Sequence, residues 1–147
     1  MDSSAIAKSL EQIPFTLPMG VHVEQATREE VCMTLSDRAS NTNMVGIVHA
    51  GALYTFGETV AGIAAGFETL DRAFPLARNG SIQYLRPALG EIRGRVRVPA
   101  AESDRVVAEL DQDGRSELDV RVSLEDAAGK IVAEMEVHYS FRPREKR

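Results

Sequence analysis

The chain has 147 residues, 44% of them hydrophobic and 27% charged, and a formal net charge of −5. That length supports one domain with a real core, and the acidic balance excludes general nucleic-acid binding, which neutralises phosphates with Lys and Arg. The single cysteine, Cys32, cannot close an intrachain disulfide, so a reducing cytoplasm is the expected location.

Residues 3–12 are expected to form a short amphipathic helix with Ser3 or Ser4 as N-cap, and no basic stretch followed by an apolar run marks a signal peptide. Pro14 and Pro18 force an extended connector, so 1–18 reads as helix plus connector. Residues 20–36 alternate in two pieces around 27–29, which predicts a bent strand or a hairpin. Residues 36–43 read as a polar loop leading through Gly46 into a helix.

That helix, expected from His49 to near Leu70, organises the rest. Between His49 and Phe67 its only charged side chain is Glu58. A helix apolar on all faces belongs inside a protein or a membrane. Gly and Ala outnumber Leu and Ile, and an acid near the centre is expensive in lipid, so a buried helix is the better reading and no membrane partner is expected. The five glycines of stretch 43–67 (Gly46, Gly51, Gly57, Gly62 and Gly66) cost helix propensity and imply close packing against the backbone.

A loop through Pro75 is expected next, and from Asn79 the pattern turns to period two and stays there. Ile82 and Tyr84 precede Pro87; Ile92, Gly94, Val96 and Val98 alternate with Arg93, Arg95 and Arg97. Val106 to Leu110 continue that pattern to a turn at 111–114. Leu118 to Leu124 alternate again, and Ile131, Ala133, Met135, Val137, Tyr139 and Phe141 line one face of a last strand. Residues 143–147 read as a frayed charged tail. Short connections imply sequential neighbours in an antiparallel sheet. The expected fold is α+β: a curved antiparallel sheet of about five to six strands wrapped around one long central helix, with 1–147 a single domain.

Burial raises the pKa of a carboxyl, which would suit Glu58 to work as a general base or acid, or it can attack an acyl carbon directly. Position alone also allows a solvent-facing or Arg-paired acid. His49 lies at the expected helix N-terminus, where the free N–H groups of Ala50 and Gly51 can hold an oxyanion; a capping role is the alternative. Asn43 can orient a carbonyl or a water, or simply form a turn. Eight residues separate Ala50 from Glu58, about 12 Å at helical rise. Both groups must approach one carbonyl to about 3 Å, so one helix cannot serve one substrate with both. Two copies related by a two-fold axis can, and a catalytic Glu58 therefore predicts a homodimer with shared sites. His22, His49, His138 and Cys32 have no metal-ligand spacing, so no metal is expected. Arg93, Arg95 and Arg97 read as a solvated face or as a phosphate site, with Arg86 a second phosphate candidate. Tyr54, Phe56, Phe67 and Tyr84 are core residues or the lining of an acyl tunnel.

Asn43, Gly46, His49-Ala50-Gly51 and Glu58, followed by the strand 81–88 with Arg86-Pro87, resemble the hotdog-fold acyl-CoA thioesterases, in particular the phenylacetate-degradation type. The resemblance covers residues 19–142. It implies hydrolysis of an acyl-CoA thioester in the cytoplasm, with Glu58 as nucleophile or base and Ala50 N–H polarising the carbonyl. Asn43 and His49 would place carbonyl or water, in a homodimer or homotetramer. Coenzyme A is then part of the substrate and no cofactor is expected. Ala50 replaces the first glycine of the family's His-Gly-Gly. Gly62 stands where some members carry Thr one turn after the acid, and Ala77 where others carry a strand Ser. Thr55, Thr59 or Ser81 are the candidate substitutes. A non-catalytic acyl-CoA binder and a hotdog hydratase or dehydratase are the alternative functions.

Overall fold

The computed structural model describes residues 7–8 and 10–144. Residues 7, 8 and 10 are helical; the N-cap expected at Ser3 or Ser4 lies outside the described residues. The chain continues through a 3-10 turn, Leu17–Met19, into a hairpin of β1 (Val21–Ala26) and β2 (Val31–Leu35). A second 3-10 turn, Ala39–Asn41, precedes α1 (Ala50–Gly66). There follow β3 (Ala73–Tyr84), β4 (Ile92–Val96), α2 (Ala100–Asp113), β5 (Ser116–Glu125) and β6 (Ile131–Pro143).

The six strands form one antiparallel sheet in the order β1-β2-β4-β5-β6-β3. α1 packs against β2 through β6, and the inward residues of β5 (Leu118, Val120, Val122, Leu124) are buried beneath it. The alternation expected for β4, β5 and β6 is present, because one face of each strand meets the core while the other stays polar.

Four expectations are corrected. First, residues 100–113 are helical where period two was expected to persist. The signals are local: Pro99 at the N-cap, Glu102 in the first turn, and Gly114 in the left-handed conformation closing the end onto the Leu110 carbonyl. Arg105 pairs with Glu102 and Glu109, three and four residues away, and Val106 and Leu110 share the buried face at helical spacing. Second, β3 begins at Ala73, not after Pro75; Pro75 is tolerated because β3 is an edge strand. Third, β3 pairs with β6 and lies at the opposite edge from the β1–β2 hairpin, so it is not the neighbour of β4. Fourth, the tail is anchored at its start: Pro143 ends β6, and Arg144 donates its N–H to the Arg72 carbonyl at 2.8 Å.

The close packing expected of the glycines is found against the sheet. A Cβ on Gly57 would stand 2.9 Å from Met135 Sδ, and one on Gly62 would stand 3.2 Å from Tyr139 Oη. The helix is not enclosed all round. Tyr54, Thr55, Glu58 and Gly62, on one stripe at helical spacing, are only half-buried.

Candidate active site

The approach to α1 is fixed by a tight turn. Thr42 bridges Val48, Asn43 N–H bonds Ile47 O, and Gly46 supplies the positive φ of 79° the turn needs. Asn43 Oδ1 accepts from the N–H groups of Val45 (3.0 Å) and Ile47 (3.3 Å), so its oxygen is committed to the turn. His49 is the N-cap of α1. Its Nδ1 accepts from Gly51 N–H at 2.8 Å, while its own N–H bonds the Asn41 carbonyl. That cap consumes Gly51 N–H and leaves Ala50 N–H, with no acceptor among the described residues, as the donor at the exposed helix start.

Ala50 and Asn43 line a depression of about 310 Å³ with Tyr84, Leu85, Arg86 and Pro87. Tyr84 Oη donates to the Ala50 carbonyl at 3.1 Å, which ties its ring to the helix start, and Arg86 Nη1 donates to the Ile131 carbonyl of β6 at 2.7 Å.

Glu58 lies elsewhere. Two turns along α1 it faces a mainly apolar cavity of about 430 Å³ lined by Tyr54, Thr55, Thr59, Gly62, Ile63 and Tyr139 together with Leu70, Phe74 and Pro75. Leu10, Ile13, Phe15 and Thr16 of the N-terminal segment close another side. Tyr139, on the inward face of β6, donates its phenol hydrogen to Glu58, whose Oε1 lies 3.1 Å and whose backbone carbonyl lies 2.9 Å from the phenol oxygen. Burial, then the Glu58 charge, push the Tyr139 phenol far above its ordinary range, so it stays protonated. Thr59 Oγ1 donates back to the Thr55 carbonyl at 2.7 Å. No Arg, Lys or His pairs with Glu58 among the described residues, so the Arg-paired alternative finds no support.

The candidate residues therefore fall into two groups on one chain: Asn43, His49, Ala50, Gly51 and Arg86 at the start of α1, and Tyr54, Glu58 and Thr59 at the cavity. Ser81 joins neither. It lines a polar depression with Gln83, Arg121 and Glu136, apart from both groups. Of the other aromatics, Phe56 is core and Phe67 packs against it. Arg93 pairs with Glu24, and Arg95 and Arg97 both pair with Glu30, so the arginine row is a paired solvent face. Among the described residues no group of three or more His, Cys, Asp or Glu is placed to hold a metal, and no helix is long and apolar enough to cross a membrane.

Sequence reasoning missed Tyr139 as a partner of Glu58 and missed the N-terminal wall of the cavity. A signal for the first existed: a Tyr among aliphatic inward positions needs a partner for its hydroxyl.

The fold matches solved structures over nearly full length. The Pseudomonas aeruginosa protein PA5026, described as a probable thioesterase, superposes with a TM-score of 0.87 at 27% identity, covering 98% of this chain and 97% of that one. The Chlorobaculum tepidum protein OLEI01261 gives 0.85 at 16% identity, covering 97% of each chain. The Haemophilus influenzae thioesterase HI1161 gives 0.78 at 11% identity, covering 97% of this chain and 92% of that one, a likeness of fold alone. The arrangement is thus a thioesterase-like hotdog fold, with an α2 where a strand pattern was expected. None of the curated proteins matches the chain. The model of a domain of unknown function, DUF4442, matches residues 4–140, and the chain belongs to that family.

Proposed function

We propose that the protein is an acyl-CoA thioesterase of the phenylacetate-degradation type, hydrolysing a small or medium acyl thioester to the free acid and CoA. The observation that carries this reading is Glu58, a lone acid on an otherwise apolar helix, facing a cavity of a size suited to a small apolar ligand. The likeness to a probable thioesterase over 98% of the chain supports the reaction class.

The site is completed by a second copy. The two groups of residues stand about 12 Å apart along α1, too far to act on one carbonyl. β3 offers the route to pairing. It is a 12-residue edge strand bonded on one side only, with Phe74, Leu76 and Tyr84 between 43% and 49% exposed. A long edge strand is a template for another strand, and antiparallel pairing of two copies is a closed two-fold arrangement.

In that dimer the acyl group lies in the cavity beside Tyr54 and Thr59. Ala50 N–H of the second copy donates to the thioester oxygen, with Asn43 placing the carbonyl or water and Arg86 near the CoA phosphates. Glu58 drives attack on the carbonyl carbon, by taking a proton from water or by bonding to the carbon itself. Negative charge gathers on the oxygen facing Ala50 N–H. The C–S bond then breaks and the CoA thiolate leaves, taking up the proton that Glu58 accepted from water. Where Glu58 itself bonded to the carbon, water then hydrolyses the acyl anhydride, giving the free acid, the Glu58 carboxylate and the proton that the thiolate takes up. A preorganised donor of this kind is worth about 10²–10³ in rate. Free thiol release from a panel of acyl-CoAs tests the reading. Glu58→Ala is expected to abolish release while the dimer survives, and unchanged turnover would remove Glu58 from the mechanism.

A further inference from the structure

We propose that Tyr139 is the positioning residue for Glu58, supplying from β6 the hydroxyl that α1 lacks at Gly62. The inference rests on Glu58 being the reacting acid. Tyr139 is 1% exposed, and its ring packs in the core beside Val137 and Phe141. Burying a hydroxyl costs free energy unless it is bonded, and its only partners among the described residues are the two Glu58 oxygens. The Glu58 carbonyl already serves the helix ladder, so the carboxylate is the group that gains most from the phenol.

Gly62 makes the contact possible. A Cβ there would stand 3.2 Å from Tyr139 Oη and 3.7 Å from Glu58 Oε1. A threonine one turn after the acid would offer a hydroxyl but would occupy that space. The chain has the opposite solution: an empty position on the helix and a hydroxyl reaching across from the sheet.

The geometry also tolerates a change of protonation at Glu58. A phenol has one hydrogen and an oxygen that can accept. With Glu58 ionised, that hydrogen points to Oε1. With Glu58 protonated, the carboxyl O–H donates to the phenol oxygen, and the phenol hydrogen turns to the Glu58 carbonyl. Both states stay bonded without moving a heavy atom, which suits an acid that holds a proton from water until the CoA thiolate takes it. Tyr139 keeps its own proton throughout. Among the described residues the other titratable group at the cavity is Tyr54 of α1; β3 and the N-terminal segment face it with Phe74, Pro75, Leu10, Ile13, Phe15 and Thr16.

The test is steady-state hydrolysis of an acyl-CoA by wild type, Tyr139→Phe and Gly62→Ala, each as the full chain. Loss of one charge-assisted hydrogen bond predicts a kcat lower by about 10–100-fold in Tyr139→Phe with KM within about twofold. Gly62→Ala, crowding the same contact, lowers kcat in the same direction. An unchanged kcat in Tyr139→Phe overturns the proposal. A readout independent of turnover separates it from the thioesterase reading. The ring-carbon NMR signal of Tyr139 moves between wild type and Glu58→Gln, because the phenol then donates to an uncharged amide oxygen. A signal unaffected by Glu58→Gln overturns the proposal, whereas a responsive signal in a protein that hydrolyses no thioester leaves the pairing intact and removes the function.

Discussion

Gly94→Ala tests the seat of the helix that carries Glu58. Gly94 is buried on β4, and a Cβ there would stand 2.9 Å from Val60 Cγ2, 3.1 Å from Phe56 Cε1 and 3.2 Å from Leu124 Cδ2. Comfortable carbon contacts begin near 3.5 Å, so α1 and the sheet must part by roughly half an ångström. Val60, Phe56 and Leu124 are all fully buried and have no free space to yield into. Overpacking of this kind costs about 1–3 kcal/mol. Where no contact opposes it, Gly→Ala gains about 0.4–1 kcal/mol by restricting the unfolded chain, so the two effects have opposite sign. The net expectation is a loss of about 1–2 kcal/mol, a fall in Tm of about 3–10 °C. Thermal and urea unfolding measure it, with an unchanged m-value showing that only stability moved. Because α1 is lifted, kcat falls as well. A variant that unfolds at or above the wild-type temperature would show that α1 does not rest on β4 at this point.

Three other expectations follow from local geometry. His49→Ala loses the cap on Gly51 N–H and about 1 kcal/mol of stability, while His49→Asn restores stability; turnover restored with it marks His49 as a cap, and turnover still lost marks the ring as part of the chemistry. Replacing Arg93, Arg95 and Arg97 together by Ala leaves KM for an acyl-CoA within about twofold, because their partners are Glu24 and Glu30; a tenfold rise would place CoA phosphates on that face. Burial, then the hydrogen bond to Glu24 and its charge, push the Cys32 thiol up to about 11. Folded protein at pH 8 should therefore be alkylated by iodoacetamide about 100-fold more slowly than a free thiol, by mass spectrometry, with the difference vanishing in urea; rapid alkylation of folded protein would contradict the buried placement.

The features legible in the sequence were those whose pattern is local. α1 announced itself by an apolar run interrupted only by Glu58, and β5 and β6 by strict alternation. α2 was obscured by the β-branched pair Val106 and Val107, although Pro99 and Gly114 bracket a helix-sized interval. The place of β3 was not local at all. Its partner β6 lies some sixty residues away, and Pro75 and the bulge near Arg78 broke its period. At the candidate site, Glu58 and Ala50 were singled out by position along α1, and Asn43 by its place in the loop before it. The Tyr139 contact, the N-terminal wall and the placing of Ser81 depend on strand order and on which face of the sheet a residue occupies.

The shared site is the central claim, and mixing two inactive variants tests it most directly. Ala50 is the first residue of α1 and follows an extended His49, where proline is tolerated, so Ala50→Pro deletes the N–H donor and little else. Glu58→Ala deletes the acid. Each homodimer is expected to be inactive. Unfolded and refolded together in equal amounts, half the dimers are mixed and each has one intact site, so about a quarter of wild-type turnover returns. A mixture as inactive as its parents would mean that both groups act within one chain, and would contradict a site shared between two copies.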